Sequence, residues 1–284
     1  MNISPQRPVL FINPASGGGK AARAHLVEAA KDRGIEAVVL KPGEDLGVLV
    51  EDAVAGGADA LGMAGGDGSL GVVASAARAH RLPLVCVPAG TRNHFARDLG
   101  VPPSDLVGAL DAFADGLERR IDLGDVNGRL FLNNVTLGIY GLAVQRASYR
   151  DAKLRTLFET AQKVLGPSGE LPAARLVDDL GVEHADPAVV VVSNNPYAPR
   201  RPRVPGMRPA LDGGRLGVLL VHKPDDPRRR PGRAWTARSL RVTAAETVAA
   251  GVDGEAVRLK PPLHFAIRPR ALRVRVSRAV MRTS

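Results

Sequence analysis

Cysteine is nearly missing from this chain of 284 residues: the single one, Cys86, lies inside the apolar run Leu82 to Val87. Disulfide stapling is therefore excluded and a reducing compartment is expected, with Cys86 itself read as a small core residue. Aromatic residues make up only 4%. With so few of them there is no stacking platform beside the basic clusters, which argues against a nucleic-acid partner. No stretch approaches about 18 consecutive apolar residues, so no helix is expected to span a bilayer. The start of the chain, Met1 to Pro8, lacks a basic flank followed by a long apolar segment. The expected location is cytoplasmic, with peripheral contact at the inner face of the membrane. Six histidines (His25, His80, His94, His184, His222 and His264) show no metal-ligand spacing, which speaks against a histidine metal site.

The residues that are present can build a large core. A hydrophobic content of 45% over this length suits two ordinary domains. The net charge of +10 is unevenly spread: residues 1–124 carry more acid than base, and the remainder holds the whole positive excess. Arg200, Arg201, Arg203 and Arg208 interleave with prolines, and Arg228, Arg229, Arg230 and Arg233 form a second cluster. Such loops suit contact with an anionic bilayer, at about 1 kcal/mol per basic residue near the surface. The plainer reading is a solvated connector.

Up to about residue 120 the pattern alternates. Val9–Ile12, Ile35–Leu40, Ala58–Met63 and Leu82–Val87 read as short buried strands, and Lys20–Arg33, Leu46–Ala55 and Leu70–Ala79 as helices. Alternation of this kind implies a parallel sheet covered by helices, with ligands at the carboxyl ends of its strands. After Asp122 the texture changes. Asn127-Gly128 reads as a hairpin turn, and Ala188–Val192, Arg215–Val221, Leu263–Ile267 and Leu272–Val276 read as strands without helical interludes. The expected fold is thus an N-terminal α/β nucleotide-binding domain with a parallel sheet, residues 1–124, and a C-terminal antiparallel β-sandwich, residues 125–276. A helical excursion is expected at about 151–165, and 277–284 form a tail that can pack back on the first domain.

Four segments carry chemistry. Ala64-Gly65-Gly66-Asp67-Gly68-Ser69 follows a strand and precedes a helix, so its glycines let backbone N–H groups approach a polyphosphate. The helix N-terminus adds its positive end, and the carboxylate of Asp67 can hold Mg²⁺ against phosphate oxygens. Asn13-Pro14-Ala15-Ser16-Gly17-Gly18-Gly19-Lys20 is also a strand–turn–helix junction. It is not a Walker A loop, and it matches the dinucleotide fingerprint only through Gly17, Gly19 and Ala22, without an acidic residue closing the next strand. In Pro88-Ala89-Gly90-Thr91-Arg92-Asn93-His94, Thr91 and Asn93 can hydrogen-bond a nucleotide and Arg92 can meet its phosphates; Asn93 reads equally well as a helix N-cap. Gly251-Val252-Asp253-Gly254-Glu255 offers two carboxylates suited to phosphoryl transfer, although alone it is an Asp-Gly hairpin turn.

In this order the segments resemble the diacylglycerol kinase catalytic-domain family, which includes bacterial lipid kinases and sphingosine kinases. Asn13 to Gly17 is similar to its N-P-x-S-G, Gly65 to Ser69 to its G-G-D-G-T, and Pro88 to Ala96 to its P-x-G-T-x-N-D-F-A. Ile121 to Gly124, Asp212 to Leu216 and Asp253 to Glu255 match its later hydrophobic-D-x-G, D-G-x-L and D-G-E motifs. The resemblance implies an ATP- and Mg²⁺-dependent kinase acting on a lipid at a membrane surface, with oligomeric state left open, a homodimer included. It implies that Asn13, Ser16, Gly17, Gly65, Gly66, Asp67, Gly68, Ser69, Thr91 and Asn93 bind the nucleotide, Asp67 lying near Mg²⁺ and Asp212 serving as a second metal contact. Asp253 and Glu255 would supply the base and carboxylate support. Ser69 stands where the family has threonine and keeps the hydroxyl. His94 stands where it has aspartate and removes a carboxylate, which bears on metal binding and activity. Two other readings fit the same turns: a kinase of a soluble acceptor such as a sugar phosphate or NAD, and a non-catalytic nucleotide- or lipid-binding protein.

Overall fold

A computed structural model describes residues 4–138, 173–185, 187–197, 208–222 and 232–283. The helical excursion expected at 151–165 lies outside the described residues, as do Arg200, Arg201, Arg203, Arg228, Arg229 and Arg230. The chain divides into two compact units: Met1–Ile121 with Arg270–Ser284, and Asp122–Pro269. Residues 270–276, assigned above to the second domain, thus group with the first unit.

The first unit is built on four parallel strands, β1 (Pro8–Ile12), β2 (Glu36–Val39), β3 (Ala60–Ala64) and β4 (Leu84–Val87), ordered β2-β1-β3-β4. Strands β1, β3 and β4 are buried at every residue, as expected of a parallel sheet covered on both faces. The helices that connect or cover them are α1 (Lys20–Arg23), α2 (Leu26–Lys31), α3 (Leu46–Ala55), α4 (Asp67–Ala79), α5 (His94–Asp98), α6 (Leu106–Ala109) and α7 (Asp111–Asp115). The single helix expected over Lys20–Arg33 is broken, because His25 takes a left-handed conformation (φ 46°) between α1 and α2. Helix α3 keeps the expected bounds; the Asp45 carboxylate caps it by accepting from Gly47 N at 2.7 Å.

Strand order carries a functional consequence. From β1 the chain crosses to β2 on one side, and from β3 it crosses to β4 on the other. Neighbouring strands whose connections diverge leave a crevice at their carboxyl ends, the usual ligand position in open α/β sheets.

The second unit contains the end of β5 (Gly116–Val126), then β6 (Arg129–Phe131), β7 (Asn134–Leu137), β8 (Ala174–Asp178), β9 (Glu183–Ala185), β10 (Pro187–Asn194), β11 (Leu216–His222), β12 (Gly232–Ala237), β13 (Ser239–Ala244), β14 (Val248–Val252), β15 (Glu255–Leu259) and the start of β16 (Leu263–Ser277). Six strands form one antiparallel sheet ordered β12-β11-β10-β7-β14-β15. A second antiparallel run joins β16, β13, β8 and β9, and β5 and β6 make the hairpin expected at Asn127-Gly128, whose two residues both have positive φ. Side chains from both layers, among them Val135, Val190, Leu220, Leu176, Val242 and Phe265, share one apolar cluster, which makes this unit a β-sandwich.

The two strands expected at Leu263–Ile267 and Leu272–Val276 are one continuous strand, β16. Pro269 looks like a break in the sequence, but the strand absorbs it with an irregularity at Arg270, whose φ is 51°. The last part of β16 lies in the first unit, where Val274 pairs in parallel with Leu84 of β4. A short helix, α8 (Arg278–Thr283), follows it there, and Arg278 Nε donates to the Asp115 carboxylate at 2.5 Å.

Candidate active site

Three turns leave the carboxyl ends of β1, β3 and β4, and their glycines record how closely they pack. Gly17, Gly18 and Gly19 are consecutive residues at positive φ (56°, 68° and 83°), a path that side chains with a Cβ rarely follow. A Cβ on Gly17 would lie 2.3 Å from Ala89 O, so the turn after β1 rests on the turn after β4. A Cβ on Gly90 would lie 2.8 Å from Gly66 Cα and 3.0 Å from Gly65 O, so the turn after β4 rests in turn on Gly65-Gly66. Lys20 Nζ donates to Gly90 O at 3.0 Å, tying the first turn to the third. The structure therefore brings Asn13, Ser16, Gly17, Gly65, Gly66, Thr91 and Asn93 onto three adjoining turns, with Asp67, Gly68 and Ser69 in the first turn of α4 beside them.

Within that group the side chains have distinct settings. Asn13 Oδ1 accepts from Ala15 N at 3.0 Å and shapes its own turn. Ser16 and Ser69 are half-buried and Thr91 is exposed. Asn93 is buried with φ 52°, and its Nδ2 donates to Pro88 O and Gly90 O, both at 2.9 Å. The expected N-cap bond is absent: the Asn93 side chain makes no capping hydrogen bond to α5, because its amide group braces the turn before the helix instead.

Asp67 opens α4, a helix of 13 residues with Gly66 at its N-cap and no side-chain cap. A Cβ on Gly66 would meet nothing within 4 Å, so open space borders the helix N-terminus, where unpaired amides and the helix dipole favour an anion. The Asp67 carboxylate is half-buried and receives one long contact, from Phe95 N at 3.4 Å. Burial pushes the neighbouring His94 imidazole below its ordinary range, while the carboxylates of Asp67 and Asp98 pull it upward. Burial, reinforced by Asp67, pushes the Cys86 thiol far up, in keeping with an inert core residue. Among the described residues no group of three or more His, Cys, Asp or Glu could hold a metal. Asp67 thus belongs to no all-protein cage; a single carboxylate is what Mg²⁺ commonly takes from a protein where phosphates and water supply its other ligands.

In the second unit, Asp253 and Gly254 form the two-residue turn of the β14–β15 hairpin, with φ of 49° and 90°. The Asp253 carboxylate accepts three consecutive amides: Leu132 N on Oδ2 at 2.7 Å, and Asn133 N and Asn134 N on Oδ1 at 2.7 and 3.1 Å. Glu255 is exposed and its carboxylate meets Arg129 at 3.3 Å. Asp212 is exposed at the turn before β11, while the adjacent Gly213 N and Gly214 N donate to Asn195 Oδ1 and to the buried Asp122 Oδ2.

This unit also contains a polar cluster that sequence reasoning missed. Asn133, Asn194 and Asn195 are buried, and Asn194 Nδ2 donates to Asp122 O at 2.9 Å and Leu132 O at 3.1 Å. Asn134 Nδ2 donates to Tyr197 Oη at 3.0 Å. The one signal available was the pairing of asparagines, Asn133-Asn134 and Asn194-Asn195, at the ends of apolar runs. Arg208, grouped above with arginines suited to a membrane surface, is only 2% exposed and donates into this same cluster. It cannot serve as a surface cation. Arg233 is exposed and lies 5.5 Å from the centre of the Trp235 ring.

A family model described as the diacylglycerol kinase catalytic domain matches residues 7–126. A probable lipid kinase YegS-like of Pseudomonas aeruginosa is 31% identical across 96% of this chain and 95% of its own length. A diacylglycerol kinase of Mycobacterium tuberculosis is 36% identical across 40% of this chain and 38% of its own. Among solved structures, a putative diacylglycerol kinase from Bacillus anthracis str. Sterne superposes with a TM-score of 0.71, covering 99% of this chain and 98% of its own; at 20% identity this likeness concerns the fold. No helix among the described residues is long and apolar enough to cross a membrane.

Proposed function

The chain belongs to the diacylglycerol kinase catalytic-domain family, and from that premise we propose that it transfers the γ-phosphate of ATP to a hydroxyl of a diacylglycerol-like or other membrane-derived lipid. The observation that carries this reading is the packing of three glycine turns at the point where β1 and β3 diverge. That arrangement leaves open space beside the N-terminus of α4.

In this reading the amides of Gly66 to Ser69 receive phosphate oxygens, and Asn13, Ser16, Gly17, Gly65, Thr91 and Asn93 complete the nucleotide pocket. Asn93 contributes mainly by holding the Pro88–Gly90 turn, since its Nδ2 is engaged twice. Asp67 would hold Mg²⁺, which would offset charge on the transferring phosphoryl group; Asp212 is the second candidate contact. Asp253 is assigned to orient the acceptor hydroxyl and receive its proton, because three amides fix its carboxylate. Glu255 lies two residues further on, and its carboxylate keeps Arg129 close. Phosphoryl transfer of this kind depends on positioning and charge stabilisation, and both are supplied by preorganised backbone and side chains.

The test is a phosphotransfer assay with ATP and Mg²⁺ over diacylglycerol, sphingoid base, phosphatidylglycerol and undecaprenol in mixed micelles, beside sugar phosphate and NAD in free solution. Turnover on one lipid class that requires the micelle surface is expected. Asp67→Ala should lower it by about a hundredfold or more. Turnover on a soluble acceptor alone, ATP binding without turnover on any acceptor, or full activity of Asp67→Ala would each defeat the proposal.

A further inference from the structure

The buried guanidinium of Arg208 is not used by the mechanism above, yet it reaches the segment that holds Asp253. Its Nη1 donates to Leu132 O at 2.5 Å and to Asn194 O at 2.7 Å, and its Nη2 donates to Asn133 Oδ1 at 3.1 Å. Leu132 O and Asn133 N are the two ends of one peptide group. That peptide therefore accepts from Arg208 at its carbonyl and donates to Asp253 Oδ1 at its N–H. A cation and an anion are joined through a single amide.

Two physical effects follow from this placement. A cation on the carbonyl polarises the amide and strengthens the hydrogen bond its N–H donates, as in other hydrogen-bonded chains of low local dielectric. The planar fork of arginine also fixes direction, because its N–H groups engage Leu132, Asn133 and Asn194 together. Lysine offers the same charge without the fork. The surroundings do not let the segment relax in another way: Leu132 O also accepts from Asn194 Nδ2, and Asn133 O accepts from Asn194 N at 2.9 Å.

We infer that Arg208 is a positioning residue for phosphoryl transfer, setting the orientation of the Asp253 carboxylate through the Leu132–Asn133 peptide. The inference rests on the reading that Asp253 serves the acceptor hydroxyl. It assigns a functional role to an arginine whose sequence context, a proline- and arginine-rich stretch, points instead to the surface.

The experiment compares the full-length wild-type protein with Arg208→Lys, Arg208→Met and Asp253→Asn. All are assayed below their melting temperatures, with kcat and the KM for ATP determined separately. Arg208→Lys should lower kcat about tenfold or more, since small displacements of an oriented group are costly, while the KM for ATP stays within about twofold. Arg208→Met, lacking both charge and fork, should lower it further.

A second measurement does not depend on activity. In amide NMR spectra of uniformly labelled protein, Arg208→Lys should move the Asn133 N–H upfield, toward a weaker hydrogen bond, by more than the Asn134 N–H, whose peptide carbonyl Arg208 does not touch. A wild-type kcat in folded Arg208→Lys and Arg208→Met, or an Asn133 amide that shifts no more than that of Asn134, overturns the inference. If Arg208→Met does not fold, the lysine variant and the amide shift still decide. Full turnover in Asp253→Asn would instead overturn the assignment of Asp253, whatever the arginine variants do.

Discussion

Two single-methyl substitutions on facing turns should separate packing from ligand binding. Gly90→Ala places a Cβ 2.8 Å from Gly66 Cα and 3.0 Å from Gly65 O, both backbone atoms that no rotamer change can move aside. Ordinary carbon contacts begin near about 3.5 Å, so the two turns must part by roughly 0.7 Å. Overpacking of this kind costs about 1–3 kcal/mol. A displacement approaching an ångström in a binding turn should also weaken ATP by about ten- to a hundredfold. Gly66→Ala differs: its backbone is ordinary (φ −83°) and the new Cβ meets no protein atom within 4 Å. Its melting temperature should stay near wild type, within the effect of about 0.5 kcal/mol usual for surface changes, while ATP binding is lost because the methyl stands where phosphate belongs. Calorimetric titration of ATP with thermal melts of both variants reads the two effects. If Gly66→Ala binds ATP like wild type, the nucleotide does not lie against this turn and the reasoning fails.

Two further outcomes follow from hydrogen-bonded carboxylates. The Arg273 guanidinium, bonded at 2.8 and 2.6 Å, is the main influence holding Glu118 below the usual carboxylate range. A lowered folded value means that this stabilisation is fully present above about pH 4.5 and is lost as pH falls through the folded value. Glu118→Gln should therefore be less stable at neutral pH, by about 1 kcal/mol or less for a partly exposed pair, and melts across pH should show the gap from wild type closing as pH falls below about 4.5. In Asp253→Asn, an amide nitrogen must face one of three backbone N–H donors. The unpaired donor should cost about 1–3 kcal/mol, read as a lower denaturant midpoint at unchanged slope.

Much of the first unit was legible because its pattern is local. Each strand of β1, β3 and β4 is a short apolar run ended by glycine or proline, and the Asn-Gly and Asp-Gly hairpins turn where their dipeptides sit. Two features escaped for physical reasons. His25 breaks a helix whose apolar spacing continues through it, since periodicity does not report a left-handed residue. Pro269 suggests two strands where one exists, because the backbone carries the strand past it through an irregularity at Arg270, whose φ is 51°. In the second unit, Arg208, Asn133 and Asn194 were hidden more deeply. The side chains of Arg208 and Asn194 donate to groups between 14 and 76 positions away, most of them backbone carbonyls with no sequence signature.

The two aspartates of the glycine turns show why a motif alone does not assign a role. Asp67 and Asp253 each precede a glycine after an apolar run, yet one receives a single amide at 3.4 Å and the other three amides within 3.1 Å. A carboxylate that exchanges partners as a cation and phosphates come and go needs the looser setting. One that presents a fixed lone pair to a hydroxyl gains from the tighter one, since reorientation during reaction is avoided. His94 fits the same division. A second carboxylate beside Asp67 would add like charge, whereas an imidazole whose burial favours its neutral form adds none. Cation affinity in this chain would then depend on Asp67 and on the phosphates themselves, so metal and nucleotide should bind together more tightly than either does alone.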